Sequence, residues 1–291
     1  MTAATLVQLL VDGLLLGGVL ALSALGFNVI FGVMRVVNLA HGDFVVLAAL
    51  VCAWCYATWS INPLFMLPVT IALGFALGAL VHRFLLRRLP TDLAGSEASS
   101  LTLTFGVAYF MAGAGLAIFG GEFRSVPVLT GAFQLGPISV AEAKLLAFGA
   151  ALVLAVLLGA IMRYTPLGRA IRATSQNVDG ALACGVDADR VRTLSFALGS
   201  AVACASGTLL ALIYTLNPQM GVGFTITAFA VVAIGGLGNY TGAIVGALLL
   251  GCATSFTSYF AGAKIAEAAP YIAFILVLLF LPAGIMGRRT V

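Results

Sequence analysis

Charge is what this sequence has least of. Asp, Glu, Lys and Arg make up 8% of its 291 residues, where a soluble globular domain carries about 25%. A conventional water-soluble fold is excluded, and much polar chemistry goes with it. Lysine occurs only as Lys144 and Lys264, each after an alanine. A P-loop needs its lysine after glycine, where it contacts phosphate, so the chain does not hydrolyse ATP by that motif. His41 and His82 are the only histidines and no serine sits in a defining motif, which leaves no nucleophile–base pair for catalysis. Five cysteines, Cys52, Cys55, Cys184, Cys204 and Cys252, lie mostly in apolar stretches. The Cys52–Cys55 spacing lacks the βαβ context or second ligand pair of a redox or zinc site, so they read as packing residues and no metal is expected. Residues 1–10 lack a basic n-region and Asp12 interrupts the apolar stretch, so the start reads as the approach to a first span, not as a cleaved signal peptide.

Long apolar runs are what is present. Hydrophobic residues reach 62% and the mean hydropathy is +1.15. A helix crosses the hydrocarbon with about 20 apolar residues. Charge-free runs at 13–34, 98–121, 145–162 and 268–287 each supply one crossing, and 44–81 supplies two, divided at Asn62-Pro63. The run 193–263 holds 71 residues without charge, room for three crossings, with breaks suggested at Asn217-Pro218 and at the glycines of 235–238 before Asn239. The expected fold is an all-α integral membrane protein of about eight or nine transmembrane helices, some interrupted, forming a single domain over 1–291. The two broken regions, after 34 and at 235–238, suggest an inverted repeat of two halves.

The arginines set the orientation, because cytoplasmic loops collect Lys and Arg. With nine spans, Arg35, then Arg83, Arg87 and Arg88, then Arg163, Arg169, Arg172, Arg190 and Arg192, and finally Arg288 and Arg289 fall on one side. Only Arg124, Lys144 and Lys264 fall on the other. The N-terminus is therefore expected outside and the C-terminus in the cytoplasm. The net charge of +4 is a topology signal; the basic residues flank spans and form no nucleic-acid stripe.

An ion-coupled transporter usually carries Asp, Glu or Lys in mid-membrane. Here Asp12 and Asp43 read as span-end residues and the glutamates as loop residues, so no mid-span carboxylate is expected. A passive channel or a subunit powered by another protein remains. The segment 163–192 favours the second, because a channel has no need of a structured internal loop. Thr165 reads as an N-cap with Pro166 at the first helical position, and a helix over 167–175 puts Leu167, Ile171 and Thr174 on one side and Arg169 and Arg172 elsewhere. Asn177 starts a second short helix that Gly185 stops, and Asp187 caps the helix that follows. Such a pair suits docking into another protein's groove.

Three stretches carry a resemblance: FGVMRVVNLAHGDF within 26–44, TPLGRAIRATSQN at 165–177, and FAVVAIGGLGNYTGAIVGALLLG at 229–251. The chain resembles the permease subunits of branched-chain amino-acid ABC importers, a subfamily that also supplies permeases for urea and short amides. The resemblance implies a translocation subunit with no cofactor of its own. It works with a second, non-identical permease, two cytoplasmic ATPases that bind ATP and Mg, and an external solute-binding protein, in a bacterial inner membrane. It implies that 165–185 is the ATPase-coupling segment, carried by Thr165, Pro166, Leu167, Gly168, Arg169, Ala170, Arg172, Ala173, Asn177 and Gly185. Val178 stands where the family commonly has proline, and Asn239, Tyr240 and Thr241 stand where it has Ser and Pro. The alternative reading is a stand-alone solute channel or facilitator.

Asn38, His41, Gly42 and Asp43 are polar or small residues where the chain turns between apolar helices. Asp43 near a helix start favours the dipole and is expected to pair with Arg35. Alternatively Asn38, His41 and Asp43, with Gly235, Gly236 and Gly238, line the translocation path or its gate, since transporters build central sites from interrupted helices. The glycines also permit close helix approach, continued by Gly242, Gly246 and Gly251.

Overall fold

A computed structural model describes residues 2–88, 93–281 and 283–287. In chain order it comprises α1 (Ala3–Met34), α2 (His41–Trp59), α3 (Pro63–Phe84), α4 (Leu93–Phe119), β1 (Ala132–Leu135), β2 (Ile138–Ala141), α5 (Glu142–Tyr164), α6 (Pro166–Gln176), α7 (Val178–Ala183), α8 (Ala188–Leu210), α9 (Gly221–Gly235), α10 (Tyr240–Ala261), α11 (Ala263–Ala266) and α12 (Ala269–Phe280). Among the described residues nine helical stretches are long and apolar enough to cross a membrane, with α11 and α12 counted together. The chain is an all-α membrane protein.

Asparagines punctuate it. Asn62, Asn217 and Asn239 each accept a hydrogen bond from a backbone N–H two or three residues on, at 3.0 Å. Each cap satisfies a donor that the next helix would otherwise leave bare.

The helices form a centre and a surround. α1 and α8 are the most buried, α2 and α9 come next, and α3, α4, α5, α10 and α12 stay largely exposed. Large apolar side chains such as Phe110, Val153 and Phe280 point outward, which lipid tolerates because its tails are as apolar as leucine. Helix association must then come from close packing. Small residues provide it: Gly26 of α1 faces Gly199 of α8, and Gly17 of α1 faces Ala247 of α10.

Basic residues separate to two ends. At one end Lys144 pairs with Asp12 at 2.6 Å, and Arg124 exchanges backbone hydrogen bonds with Leu216 at 2.8 and 2.9 Å. The antiparallel β1–β2 hairpin lies there, with Ser139 bonded to Gln8. Charge spacing gave no sign of it, although its turn falls at Gly136-Pro137. At the other end Arg87 pairs with Asp189 at 3.3 Å and Arg35 reaches the Ser175 carbonyl at 3.5 Å. Arg288 and Arg289 lie outside the described residues.

Candidate functional site: a break between two helices and an exposed helical pair

α1 ends at Arg35, which caps it in the left-handed conformation (φ 53°) with its N–H on the Phe31 carbonyl. The chain then doubles back. His41 Nε2 lies 3.1 Å from the Ser23 carbonyl and 3.3 Å from Ser23 Oγ, and its ring sits edge-on to Phe27. Ser23 stands eleven residues before Met34, about 16 Å back along the helix. α2 therefore begins beside the body of α1 and not at its end, and residues 36–40 are non-helical backbone against the bundle.

Such backbone is tolerated in a membrane only when its polar groups are satisfied within the protein. Leu39 N–H donates to Thr104 Oγ1 of α4 at 3.3 Å, and the Leu39 carbonyl accepts from Thr225 Oγ1 of α9 at 2.9 Å. The Gly42 N–H donates to that same hydroxyl at 2.8 Å, and Ala40 N–H donates to Asn38 Oδ1 at 3.1 Å. Thr225 and Thr104 thus hold the break together. Neither stood out in the sequence, although a hydroxyl placed among apolar residues is the signal that marks them, as it marks Ser23.

Asp43 stands at the start of a span, in the first turn of α2, and is 4% exposed. One expectation is corrected: it does not pair with Arg35, whose guanidinium lies toward Ser175, because the segment 36–42 folds back against α1, α4 and α9. The carboxylate packs on Gly221, where any side chain would collide with it. Asp43 Oδ2, His41 Nδ1 and Asn38 Nδ2 are buried without a hydrogen-bond partner among the described residues.

Gly235, Gly236 and Gly238 close the far end of α9. Gly235 lies ten residues beyond Thr225, about 15 Å along the helix, and the glycine turn reaches α1 next to Phe27, which packs on His41. Gly236 (φ 103°) and Gly238 (φ 80°) turn the chain from α9 into α10 in a conformation that favours glycine. Gly238 N–H donates to Asn28 Oδ1 of α1 at 2.9 Å. Ile285 and Met286 N–H groups bond the Ile234 and Gly235 carbonyls, and Asn239 Nδ2 bonds the Met286 carbonyl. Asn28, an amide inside the first apolar run, is the residue that sequence reading missed here.

Beside the break, α2, α3 and α4 border an open cleft of about 610 Å³ lined by apolar side chains including Phe44, Leu47, Val81, Leu103, Phe110 and Met111. A small recess of about 10 Å³ lies between Asp43, Leu47, Met111, Gly115 and Pro218.

The second candidate is the α6–α7 pair. Thr165 Oγ1 accepts from Gly168 N–H at 3.1 Å and donates to the Ile161 carbonyl at 2.7 Å, so it caps α6 and ties it to α5. A side chain on Gly168 would meet the Ile161 and Met162 carbonyls. Ile171 packs with Val33 of α1 and Val191 of α8, with Leu167 and Ala170 alongside, and Thr174 is buried. Arg172 turns back onto the Met162 carbonyl, where a cation completes the end of α5. Asn177 Oδ1 caps α7 from Gly180 N–H at 2.9 Å, and Gly185 (φ 80°) follows its end. Pro166, Arg169, Ala173, Asn177, Leu182 and Cys184 remain exposed. The pair is a ledge pinned from beneath, with one surface free.

The family model for the permease component of branched-chain amino acid transport systems matches residues 9–281. The high-affinity branched-chain amino acid transport system permease protein LivH of Salmonella typhimurium is 27% identical over 300 residues, covering 98% of this chain and 96% of that one. The corresponding permease protein BraD of Pseudomonas aeruginosa is 29% identical over 303 residues, with the same coverages of 98% and 96%. Among solved structures, PsaBC from Streptococcus pneumoniae in complex with Fab superposes with a TM-score of 0.51 at 14% identity, over 94% of this chain and 92% of that one. That likeness is one of fold.

Proposed function

Because the chain belongs to the family of permease components of branched-chain amino acid transport systems, we propose that it is the membrane channel-forming half of an ATP-driven importer for branched-chain or related amino acids. The observation that carries this reading is the match of the permease family over 9–281. It is supported by an exposed helical pair anchored to the two most buried helices. In this reading the arginine-rich end faces the cytoplasm of a bacterial inner membrane, and α6–α7 docks into one of two ATPase subunits that bind ATP and Mg. A second, non-identical permease completes the path, and an external binding protein delivers the solute.

The anchoring suggests how force travels. Closure of the ATPases pushes on the free surface of α6, around Pro166, Arg169 and Ala173. Ile171 and Thr174 are held against the ends of α1 and α8, so the push reaches the centre of the bundle without passing through the lipid-facing helices. Thr165, Leu167, Gly168, Ala170 and Arg172 keep the ledge rigid, and Asn177 and Gly185 shape its second helix.

The test is reconstitution in proteoliposomes with and without the ATPases, partner permease and binding protein. Uptake of leucine, isoleucine or valine is expected only with the full set and ATP. Selective flux through this chain alone would instead make it a facilitator. Orientation has its own readout in Cys184, exposed while Cys52, Cys55 and Cys204 are buried. A membrane-impermeant maleimide is expected to label Cys184 in inside-out vesicles of the permease and not in right-side-out ones; the reverse pattern would invert the topology.

A further inference from the structure

We propose that Asp43, buried at the start of α2, receives the ammonium group of the solute while the cleft between α2, α3 and α4 takes its aliphatic chain. The inference rests on the importer reading and narrows its solute to one that bears an amine. A carboxylate buried in a membrane bundle is costly unless paired, and so by default marks a functional site. Asp43 is buried, and no arginine or lysine among the described residues forms an ion pair with it. Its Oδ2 has no hydrogen-bond partner there. No basic side chain among the described residues supplies the cation that would compensate an ionised Asp43.

The surroundings say what shape that cation has. The recess beside Asp43, about 10 Å³, admits one water-sized group, which is the size of a primary ammonium. Leu47 and Met111 line both this recess and the 610 Å³ cleft, so the two spaces are neighbours, and the cleft has a volume typical of ligand pockets. A carboxylate behind apolar walls fits an ammonium on a short aliphatic chain. Urea and simple carboxylic acids bring no cation and leave Asp43 uncompensated.

Binding is read first on the assembled wild-type transporter without binding protein, by thermal shift against 3-methylbutylamine and 3-methylbutanoate. The amine is expected to raise the midpoint and the acid to leave it unchanged; equal effects of the two, or none from the amine, would overturn the proposal. Asp43→Asn is expected to abolish the amine shift and to lower leucine uptake at least about tenfold, with Asp43→Glu recovering part of both. Uptake by Asp43→Asn equal to wild type would also overturn it. If Asp43→Asn does not assemble, Met111→Lys replaces it: a tethered ammonium beside Asp43 is expected to stabilise the complex and remove the amine shift, and a persisting amine shift counts against the proposal. Absence of any amino-acid uptake by the wild-type complex would sink the importer reading, while the amine–acid comparison still decides the role of Asp43.

Discussion

Gly42→Val is expected to leave little folded protein. At this position α2 and α9 approach so closely that a first side-chain carbon would run into the Gly221 carbonyl, with Thr225 N at 2.5 Å and Thr225 Oγ1 at 2.8 Å. Backbone and a hydrogen-bonded hydroxyl cannot swing aside as a leucine tip would. The helices must separate, and separation breaks the hydroxyl's bonds to Gly42 N–H and the Leu39 carbonyl. Overpacking costs about 1–3 kcal/mol, and each lost interhelical hydrogen bond in a membrane adds roughly 0.6 to 1.7 kcal/mol. Together these reach several kcal/mol against a total stability of about 5–15 kcal/mol. Thr225→Val keeps the shape and removes only the hydrogen bonds, so it should be much milder. Size-exclusion profiles and unfolding midpoints in detergent separate the two variants. If Gly42→Val eluted and unfolded like wild type, the re-entrant packing described here would be wrong.

Gly168→Leu should leave the bundle folded and remove transport. Its side chain would have to occupy the space of the Ile161 and Met162 carbonyls at the end of α5, so α6 must lift away from α5. Lifting unseats the Thr165 cap and draws Ile171 and Thr174 from their contacts with α1 and α8. If overpacking of about 1–3 kcal/mol is relieved by undocking α6, the docked form falls by roughly 5- to 150-fold, since each 1.4 kcal/mol is a factor of ten. Peripheral elements open locally without global unfolding, so the detergent unfolding midpoint should stay near wild type. The checks are ATPase co-purification and ATP-dependent leucine uptake. Retention of both would show that α6 does not transmit the force. Arg172→Ala, which loses only its bond to the Met162 carbonyl, should fall between Gly168→Leu and wild type.

Much of the architecture was written in where charge does not occur. The nine spans follow from the length of the apolar runs because lipid admits no unpaired backbone, and a helix is the shortest way to pair all of it. The helix starts were legible too: Asn62, Asn217, Asn239, Thr165, Asn177 and Asp187 each cap the helix that follows, a local preference that needs no tertiary partner. The amphipathic side of α6 was legible for the same reason, its buried Ile171 and Thr174 falling on one face of a helix.

The path of the chain between α1 and α2 was not legible. Asp43 follows a short polar stretch after a complete span, and nothing local says what surrounds it. Only the hydrogen bonds of 36–42 to Ser23, Thr104 and Thr225 fold that stretch back against the bundle. Those partners lie on three other helices, up to 186 residues away, and a residue's burial depends on what its neighbours can satisfy.

What the sequence determined by itself, then, is a membrane bundle of many spans with a pair of short helices between two of them, because apolar run length, capping and turn chemistry act over a few residues. Tertiary structure alone decided that Asp43 is buried at the start of α2 beside an apolar cleft, with no ion-pair partner among the described residues, because burial and pairing are properties of surroundings assembled from distant parts of the chain.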